Sequence, residues 1–255
     1  MDSVLVERRG GVVTVTLNRP EKKNAVNAEM WQRLRECLED VGRRDADRVL
    51  VLTGAGGSFC SGADLTALDD SAHPTVLMRR VGEVALALHR LPKPTIAKVD
   101  GVAAGAGCNM ALGCDLIVAS DQARFSEIFS RRGLSLDFGG SWLLPRLVGL
   151  HRAKELALLA DTLPAREALQ LGLVNRVVPV DELDEAVDVW ARRLAAGPPI
   201  ALAMTKSLLN QSFEVSMTQA VDDEGRCQVV NFSTADAAEA LAAFVEKREP
   251  RFQGR

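Results

Sequence analysis

The sequence predicts an α/β protein, with a parallel sheet in its first half and a mostly helical C-terminal part. Short runs rich in Val, Ile and Leu alternate with helix-length amphipathic segments, whereas the segments after about Pro145 are mostly helical in periodicity. The 255 residues are 47% hydrophobic and 25% charged, which is typical of a globular protein that buries a full core. The formal charge of −3, without a long basic run, argues against nucleic acid as a partner.

The chain begins with a predicted hairpin and an amphipathic helix. Residues 4–8 and 12–17 are rich in β-branched residues, and Gly10-Gly11 between them favours a tight turn. Asn27 is a residue type that often caps a helix, and apolar residues follow it at helical spacing. Gly42 is predicted to end this helix.

A strand, a helix and two further strands are predicted next. Residues 48–53 form a buried strand that leads into a glycine-rich loop, and residues 75–88 form a helix. Residues 95–99 and 116–119 are the following strands. This alternation predicts right-handed crossovers and functional sites at the carboxyl ends of the strands.

The C-terminal part is predicted to consist of helices at residues 151–160, 165–171, 182–196, 199–209, 215–230 and 235–247. The sharpest change of character is the Ala-Gly-Pro-Pro sequence that begins at Ala196. We therefore expect a core over residues 1–196 and a helical region over residues 197–255.

The sequence favours a cytoplasmic protein without a membrane anchor. Its first residues lack the apolar core of a signal peptide, and no uncharged stretch reaches the roughly 18 residues of a membrane span. The five cysteines form no CxxC pair, so we expect unpaired thiols in a reducing compartment and no structural zinc.

Two glycine-rich segments, at residues 53–65 and 100–113, follow predicted strands and lead into helical sequence. Backbone amides at such positions bind anions. Neither segment is a nucleotide loop, because Ala63 stands where a P-loop needs Lys and GxGxxG is absent. The alternative is that both are tight turns under close backbone packing.

Five motifs in these segments and beyond resemble the crotonase superfamily, the enoyl-CoA hydratase/isomerase family. They are FCSGADL (59–65), VDGVAAGAGCNMALGCDLIVAS (99–120), GLSLDFGGSWLLPRLVG (133–149), EALQLGLVNRVVP (167–179) and AFVEKREPRF (243–252), preceded by NRPEKKNAVN at 18–27. The resemblance implies a spiral of ββα units and a helical C-terminal region that makes homotrimers or dimers of trimers. It also implies an acyl-CoA thioester substrate, with no other cofactor and no metal.

The resemblance further implies an oxyanion hole, made by the backbone N–H groups of Ala63 and Ala106. Backbone donors suit this task because they are already aimed when negative charge develops. Small neighbours such as Gly62 and Gly105 let the thioester approach the main chain. The substrate-binding residues that the resemblance implies are Lys22, Lys23, Ala25, Gly62, Asp64, Leu65, Gly105, Asn109, Phe129, Phe244 and Lys247. Residues 67–76 would overlie the acyl chain.

The catalytic carboxylates depart from the family pattern. Relatives that hydrate a double bond use two glutamates, and the matching positions hold Asn109 and Phe129. Neither an amide nor a phenyl ring can act as a base, so the usual hydration mechanism lacks its parts. Glu127 lies two residues from the family position, and we interpret it as structural.

Asp137 is the remaining carboxylate candidate, at a position where the resemblance implies an acid/base in several isomerases of the superfamily. Its apolar neighbours Phe129 and Phe138 should raise its pKa, which suits a group that takes and returns a proton. The alternative is that Asp137 caps a helix beginning near Gly139. Three functions follow: enoyl-CoA isomerisation, 2-enoyl-CoA hydration, and acyl-CoA binding without catalysis.

Overall fold

A six-stranded sheet and a three-stranded sheet organise the chain in the computed structural model, which describes residues 2–66 and 73–255. The strands are β1 (Val4–Arg9), β2 (Val12–Leu17), β3 (Val49–Gly54), β4 (Thr95–Val99), β5 (Val102–Ala104), β6 (Leu116–Ser120), β7 (Arg124–Ser126), β8 (Leu163–Pro164) and β9 (Arg176–Val178). The large sheet has the order β1-β2-β3-β4-β6-β9, and the small one has the order β5-β7-β8. In the large sheet only β1 is antiparallel to its neighbour.

The α-helices of the described ranges are α1 (Ala28–Arg43), α2 (Pro74–His89), α3 (Ala106–Leu112), α4 (Gly140–Leu159), α5 (Ala165–Gln170), α6 (Leu183–Ala195), α7 (Pro199–Gln211), α8 (Met217–Phe232) and α9 (Ala235–Glu246). Helix α4 is broken at Gly149, whose φ of 75° is not helical. Within the residues described, no helix is both long and apolar enough to cross a membrane.

Local sequence accounts for the first elements. Gly10 and Gly11 have φ of 58° and 82°, values that glycine adopts without strain, and they join β1 to β2 as predicted. The Asn27 side chain accepts a hydrogen bond from the Met30 N–H and so caps α1. The expectation that Gly42 ends α1 is wrong, because Gly42 remains helical and the chain leaves the helix only at Arg44.

Strand β3 is buried on both faces, which explains its unbroken apolar sequence. Leu50 and Leu52 join the core on the side of α1, α2 and α3, whereas Val49 and Val51 pack with apolar residues of α6. The large sheet is therefore enclosed between two helical layers. Its parallel strands end together at one edge, where the glycine-rich segments begin.

The small sheet contains the second strands of two ββα units, β4-β5-α3 and β6-β7-α4. The chain leaves β4, turns at Gly101 and enters β5, and it passes in the same way from β6 to β7. A Cβ on Gly101 would lie 2.1 Å from the Gly57 carbonyl oxygen, so this turn requires glycine. Residue periodicity does not predict β5, β7, β8 or β9, since each has only two or three residues.

Helix α7 is tied to the start of the parallel strands by Lys206. The Lys206 ammonium lies 2.8 Å from the Asp115 carboxylate and donates a hydrogen bond to the Lys93 carbonyl oxygen. Asp115 also accepts hydrogen bonds from the N–H and the hydroxyl of Thr95, the first residue of β4. The first helix of the C-terminal region is thus connected to the sheet by a largely buried ion pair.

Candidate active site

The two glycine-rich segments are hydrogen-bonded to each other at the carboxyl edge of the large sheet. Cys60 N–H donates to the Val102 carbonyl, and Ala104 N–H donates to the Cys60 carbonyl, each at 2.9 Å. Glycine permits this approach, since a Cβ on Gly107 would lie 2.3 Å from the Cys60 carbonyl oxygen. A Cβ on Gly62 would lie only 3.7 Å from the Ala106 nitrogen. The loop that carries Ala63 therefore lies beside the start of α3.

The N–H groups of Ala63 and Ala106 are both unused in the described part of the chain. Val26 is hydrogen-bonded to the residues on either side of Ala63. Its N–H donates to the Gly62 carbonyl, and its carbonyl accepts from the Asp64 N–H. Ala106 is the first residue of α3, so its N–H has no partner within the helix, and the residue is 2% exposed. The structure thus brings two free backbone donors to neighbouring positions, as an oxyanion hole requires.

Asn24 fixes the basic loop at residues 18–27, which contains the proposed substrate-binding residues Lys22, Lys23 and Ala25. Its side chain accepts from the Arg19 N–H and donates to the carbonyls of Ala55 and Ser58. Asn24 has a φ of 56°, a conformation that Asn tolerates better than most residues. The exposed Lys22 and Lys23 project from the loop thus fixed.

Arg19 joins this loop to the loop of Ala63. Its guanidinium donates to the Ala25 carbonyl and forms an ion pair with Asp64 at 3.0 Å. Hydrogen bonds from the Thr66 hydroxyl and from Arg19 lower the pKa of Asp64. The sequence analysis named Asp64 and Ala25 as site residues but not Arg19 and Asn24. A partly buried arginine in an ion pair could not be identified, because it produces no periodic pattern in the sequence.

Asp137 begins a tight turn that precedes α4. Its carbonyl accepts hydrogen bonds from the Gly140 N–H at 2.9 Å and from the Asn109 side-chain amide at 3.0 Å. Phe138 and Gly139 both have positive φ, 49° and 82°, which is the pattern of a type I′ turn. The sequence analysis named Asn109 as a substrate-binding residue. In the structure Asn109 is fully buried, and its side-chain amide is hydrogen-bonded to the main chain.

The carboxylate of Asp137 does not cap α4. Gly139 is the N-cap residue, and no side chain caps the helix, so the capping interpretation is wrong. One carboxylate oxygen of Asp137 is buried without a hydrogen-bond partner among the residues described. Burial raises the pKa of Asp137 from 3.8 to about 6.

Phe129 and Glu127 flank this region with opposite properties. Phe129 is 6% exposed, and its ring lies 3.7 Å from the position of a Cβ on Gly105. The place of the second family glutamate is therefore apolar. Glu127 is also buried, and burial raises its pKa to about 7, opposed by the Cys108 thiol and the Asn109 amide and assisted by the charge of Asp137.

Three further proposed binding residues, besides Lys22 and Lys23, are exposed. Leu65 is exposed beyond the loop of Ala63, Phe244 is exposed on α9, and Lys247 is exposed directly after α9. No hydrogen bond or ion pair among the described residues links Phe244 or Lys247 to the basic loop. The proposed cover over the acyl chain falls mainly on residues 67–72, which lie outside the described residues. Over residues 2–66 and 73–255, no cluster of three or more His, Cys, Asp or Glu is arranged to hold a metal ion.

A cavity of about 680 Å³ opens between α2, the start of α4, and α7. Phe138 and Gly139, which directly follow Asp137, line it together with Trp142, His89 and Glu214. The Trp142 indole packs edge-on against His89 and donates a hydrogen bond to Glu214 at 3.3 Å. The cavity is thus walled by an aromatic surface next to the turn of Asp137.

This fold and these loops define an acyl-CoA-processing enzyme of the crotonase type. A family model described as enoyl-CoA hydratase/isomerase matches residues 7–255. Over their full lengths, the chain is 40% identical to the 1,2-epoxyphenylacetyl-CoA isomerase of Escherichia coli. It is 35% identical to the short-chain-enoyl-CoA hydratase of Clostridium acetobutylicum, covering 98% and 97% of the two chains.

Solved structures agree with this assignment. The crystal structure of an enoyl-CoA hydratase from Mycobacterium smegmatis superposes with a TM-score of 0.93 at 36% identity, covering 99% of each chain. That of an enoyl-CoA hydratase from Bacillus anthracis superposes with a TM-score of 0.95 at 30% identity over both full chains. The chain belongs to the enoyl-CoA hydratase/isomerase family, which confirms the predicted fold class.

Proposed function

We propose that this enzyme isomerises the double bond of an enoyl-CoA, with Asp137 as the only acid/base. The Asp137 carboxylate takes a proton from the α carbon of a 3-enoyl thioester. The electrons of the broken C–H bond form an enolate, whose oxygen accepts hydrogen bonds from the N–H groups of Ala63 and Ala106. Protonated Asp137 then returns the proton to the γ carbon, which yields the conjugated 2-enoyl thioester.

The observation that carries this proposal is the place of Asp137. Its carboxylate has a buried oxygen that is unpartnered within the described part of the chain, and the residue directly precedes Phe138 and Gly139, which line the cavity, whereas Glu127 is not among the lining residues. A carboxylate with a pKa near 6 holds a proton more readily than an ordinary aspartate, yet it is ionised at neutral pH. The two positions that hold glutamate in hydrating relatives contain a bonded amide and a phenyl ring. One mobile proton, and no carboxylate at either of these two positions to activate water, favour isomerisation over hydration.

We propose a bulky, cyclic acyl group as the substrate. The similar protein from Escherichia coli is named as acting on 1,2-epoxyphenylacetyl-CoA. The cavity beside Phe138 and Gly139 has room for such a ring, and the Trp142 indole forms part of its wall. Turnover of a ring-epoxide thioester should therefore exceed turnover of a linear 3-enoyl thioester of the same carbon number.

The Asp137→Asn variant tests the acid/base role. Conversion of 3-hexenoyl-CoA is followed by the ultraviolet absorbance of the conjugated product, and deuterium exchange at the α carbon of phenylacetyl-CoA is followed by NMR. We expect both rates to fall by about 10²–10⁴-fold. Glu127→Gln is the matched control, a second buried carboxyl changed to its amide, and should keep most of the activity. Equal activity of Asp137→Asn and the wild type would refute the proposal.

Hydration of a 2-enoyl-CoA is the second candidate, because several similar proteins are named as hydratases. Asp137 and an ordered water would then replace the missing pair of glutamates. Crotonyl-CoA loses its enone absorbance on hydration, so the same spectrometer distinguishes the two reactions. Tight binding of acyl-CoA without turnover of any thioester would instead support a non-catalytic binding protein.

We also propose that the active form is a homotrimer or a dimer of trimers. Helices α8 and α9 carry large apolar side chains that are strongly exposed, among them Met217, Phe232 and Phe244. Apolar surface of this extent is typical of a subunit interface. In such an assembly Phe244 and Lys247 can approach the coenzyme of a neighbouring subunit. Sedimentation equilibrium will give the mass of the particle, and a monomer would contradict this proposal.

A further inference from the structure

The side chain of Asn109 is buried beside the proposed active site, and the reaction as written gives it no task. We propose that Asn109 is a positioning residue that fixes the turn carrying Asp137 relative to the oxyanion hole. This inference rests on the proposed function of Asp137. It assigns to Asn109 a role toward the protein main chain, where sequence reasoning had expected contact with the substrate.

The contacts of Asn109 support this role. Its amide N–H donates to the carbonyl oxygen of Asp137 at 3.0 Å, and the residue has no exposed surface. Asn109 lies on α3, three residues after Ala106, whose N–H is one of the two proposed oxyanion donors. One short helix therefore carries an oxyanion donor at its start and the side chain that holds the acid/base turn. The distance between the two catalytic functions is fixed through α3.

The turn needs an external support of this kind. Phe138 has a φ of 49°, a left-handed conformation that costs free energy for a residue with a bulky side chain. Residues keep such conformations only where the surroundings hold them. The second hydrogen bond to the Asp137 carbonyl, from Asn109, supplies that hold in addition to the bond within the turn.

Position 109 needs an amide, because a carboxylate there could not donate the hydrogen bond to Asp137. An ionised glutamate or aspartate at position 109 offers no donor to the carbonyl of Asp137. It would also place a further negative charge near Asp137 and Glu127, where the charge of Asp137 already raises the pKa of Glu127. The amide at position 109 is therefore compatible with the aspartate at position 137, whereas a carboxylate at position 109 is not.

Gly140 shows how closely Asn109 fits against the turn. A Cβ on Gly140 would lie 2.3 Å from the Asn109 amide nitrogen and 2.5 Å from its side-chain oxygen. The φ of Gly140 is not positive, so only this contact, and no backbone strain, excludes a side chain there. Gly140→Ala consequently disturbs Asn109 from the opposite side without altering any group of the reaction.

The experiment compares Asn109→Ala, Gly140→Ala and the double variant. For each protein it measures kcat and KM with 3-hexenoyl-CoA, the rate of α-proton exchange in phenylacetyl-CoA, and the midpoint of thermal unfolding. Both single variants should lose stability, the first through a cavity and the second through a clash. The double variant should regain stability, because the methyl group of Ala occupies the space that the amide leaves.

We expect kcat and the exchange rate to fall about 10–100-fold in all three variants, with KM changed by less than about threefold. Asn175→Ala is the control for loss of an amide elsewhere, since Asn175 accepts the Ile117 N–H at 2.7 Å. It should lower the unfolding midpoint and leave kcat unchanged.

Recovery of kcat together with stability in the double variant would overturn the proposal, because a merely structural Asn109 predicts that result. Wild-type kcat in a folded Asn109→Ala protein would overturn it as well. Both outcomes are distinct from failure of the proposed function, which shows as full activity of Asp137→Asn.

Discussion

Replacing Asp137 with Asn should abolish proton transfer and at the same time make the folded protein more stable at neutral pH. The folded environment raises the pKa of this carboxyl, so the folded state holds the proton more tightly than the unfolded chain does. At pH values below the pKa of the unfolded chain, the carboxyl is neutral in both states and does not lower the free energy of unfolding. As the pH rises, the wild type loses stability, and the loss is complete above the folded pKa.

The size of this effect follows from the shift. The pKa of Asp137 moves from 3.8 to about 6 on folding, and each pKa unit corresponds to about 1.4 kcal/mol, which sets an upper limit of about 3 kcal/mol. Because Asp137 is only half-buried, solvent screens part of its charge, and we expect about 1–2 kcal/mol. The amide of the variant carries no charge at any pH. In a chain of this length the gain corresponds to about 2–4 °C in the unfolding midpoint.

Thermal unfolding of the wild type and of Asp137→Asn at a series of pH values between about 4 and 8 measures this difference. The two midpoints should nearly coincide at the acid end and separate as the pH approaches 6, with the variant higher. Because the charge of Asp137 raises the pKa of Glu127, the comparison is repeated in the Glu127→Gln background, where position 127 no longer titrates. A variant that is less stable than the wild type at pH 8, or a difference that does not change with pH, would show that Asp137 has a structural task and refute the argument.

Three further predictions concern the frame of the site. Gly107→Ala should destabilise the protein by about 2–3 kcal/mol in urea unfolding, because its Cβ would overlap the Cys60 carbonyl; a loss below about 0.5 kcal/mol would contradict the close approach. Iodoacetamide applied to the native protein should label at most Cys37 and Cys227, because burial raises the pKa of the other three thiols. Mass spectrometry of the digest identifies the labelled cysteines, and labelling of Cys60 before unfolding would contradict the prediction. Asn24→Ala should cost about 2–4 kcal/mol, because three hydrogen bonds of a buried side chain are lost; an unchanged unfolding midpoint would show that the loop is fixed by other contacts.

Long periodic elements of the fold could be predicted from the sequence, and short ones could not. The strand at Thr95–Val99 has the bounds that its β-branched pattern predicts, and the Asn27 cap forms as expected. The three-residue strand Val102–Ala104 lies in a glycine-rich segment, where no period of two can be counted. This strand pairs with β7 and forms a bridge with Cys60, and only the folded chain brings these partners close.

The candidate site was predictable where main-chain geometry leaves a trace in the sequence. Gly62 and Gly105 mark the loops of Ala63 and Ala106, because their φ values of 102° and 54° are ones that glycine adopts without strain. The hydrogen-bond partner of the Asn109 side chain could not be predicted. It is a backbone carbonyl oxygen 28 residues away, and every residue has such an atom. Local spacing identifies side-chain chemistry, but it does not identify a main-chain partner across the fold.

The ion pair between Lys206 and Asp115 limits how the C-terminal helices can be exchanged with those of a relative. Grafting a foreign segment that lacks the lysine would leave the carboxylate of Asp115 facing the start of β4 without its cation. Removing the aspartate alone would strand a buried ammonium, which costs more than the pair contributes. A chimaera joined near residue 197 must therefore carry both partners of this ion pair.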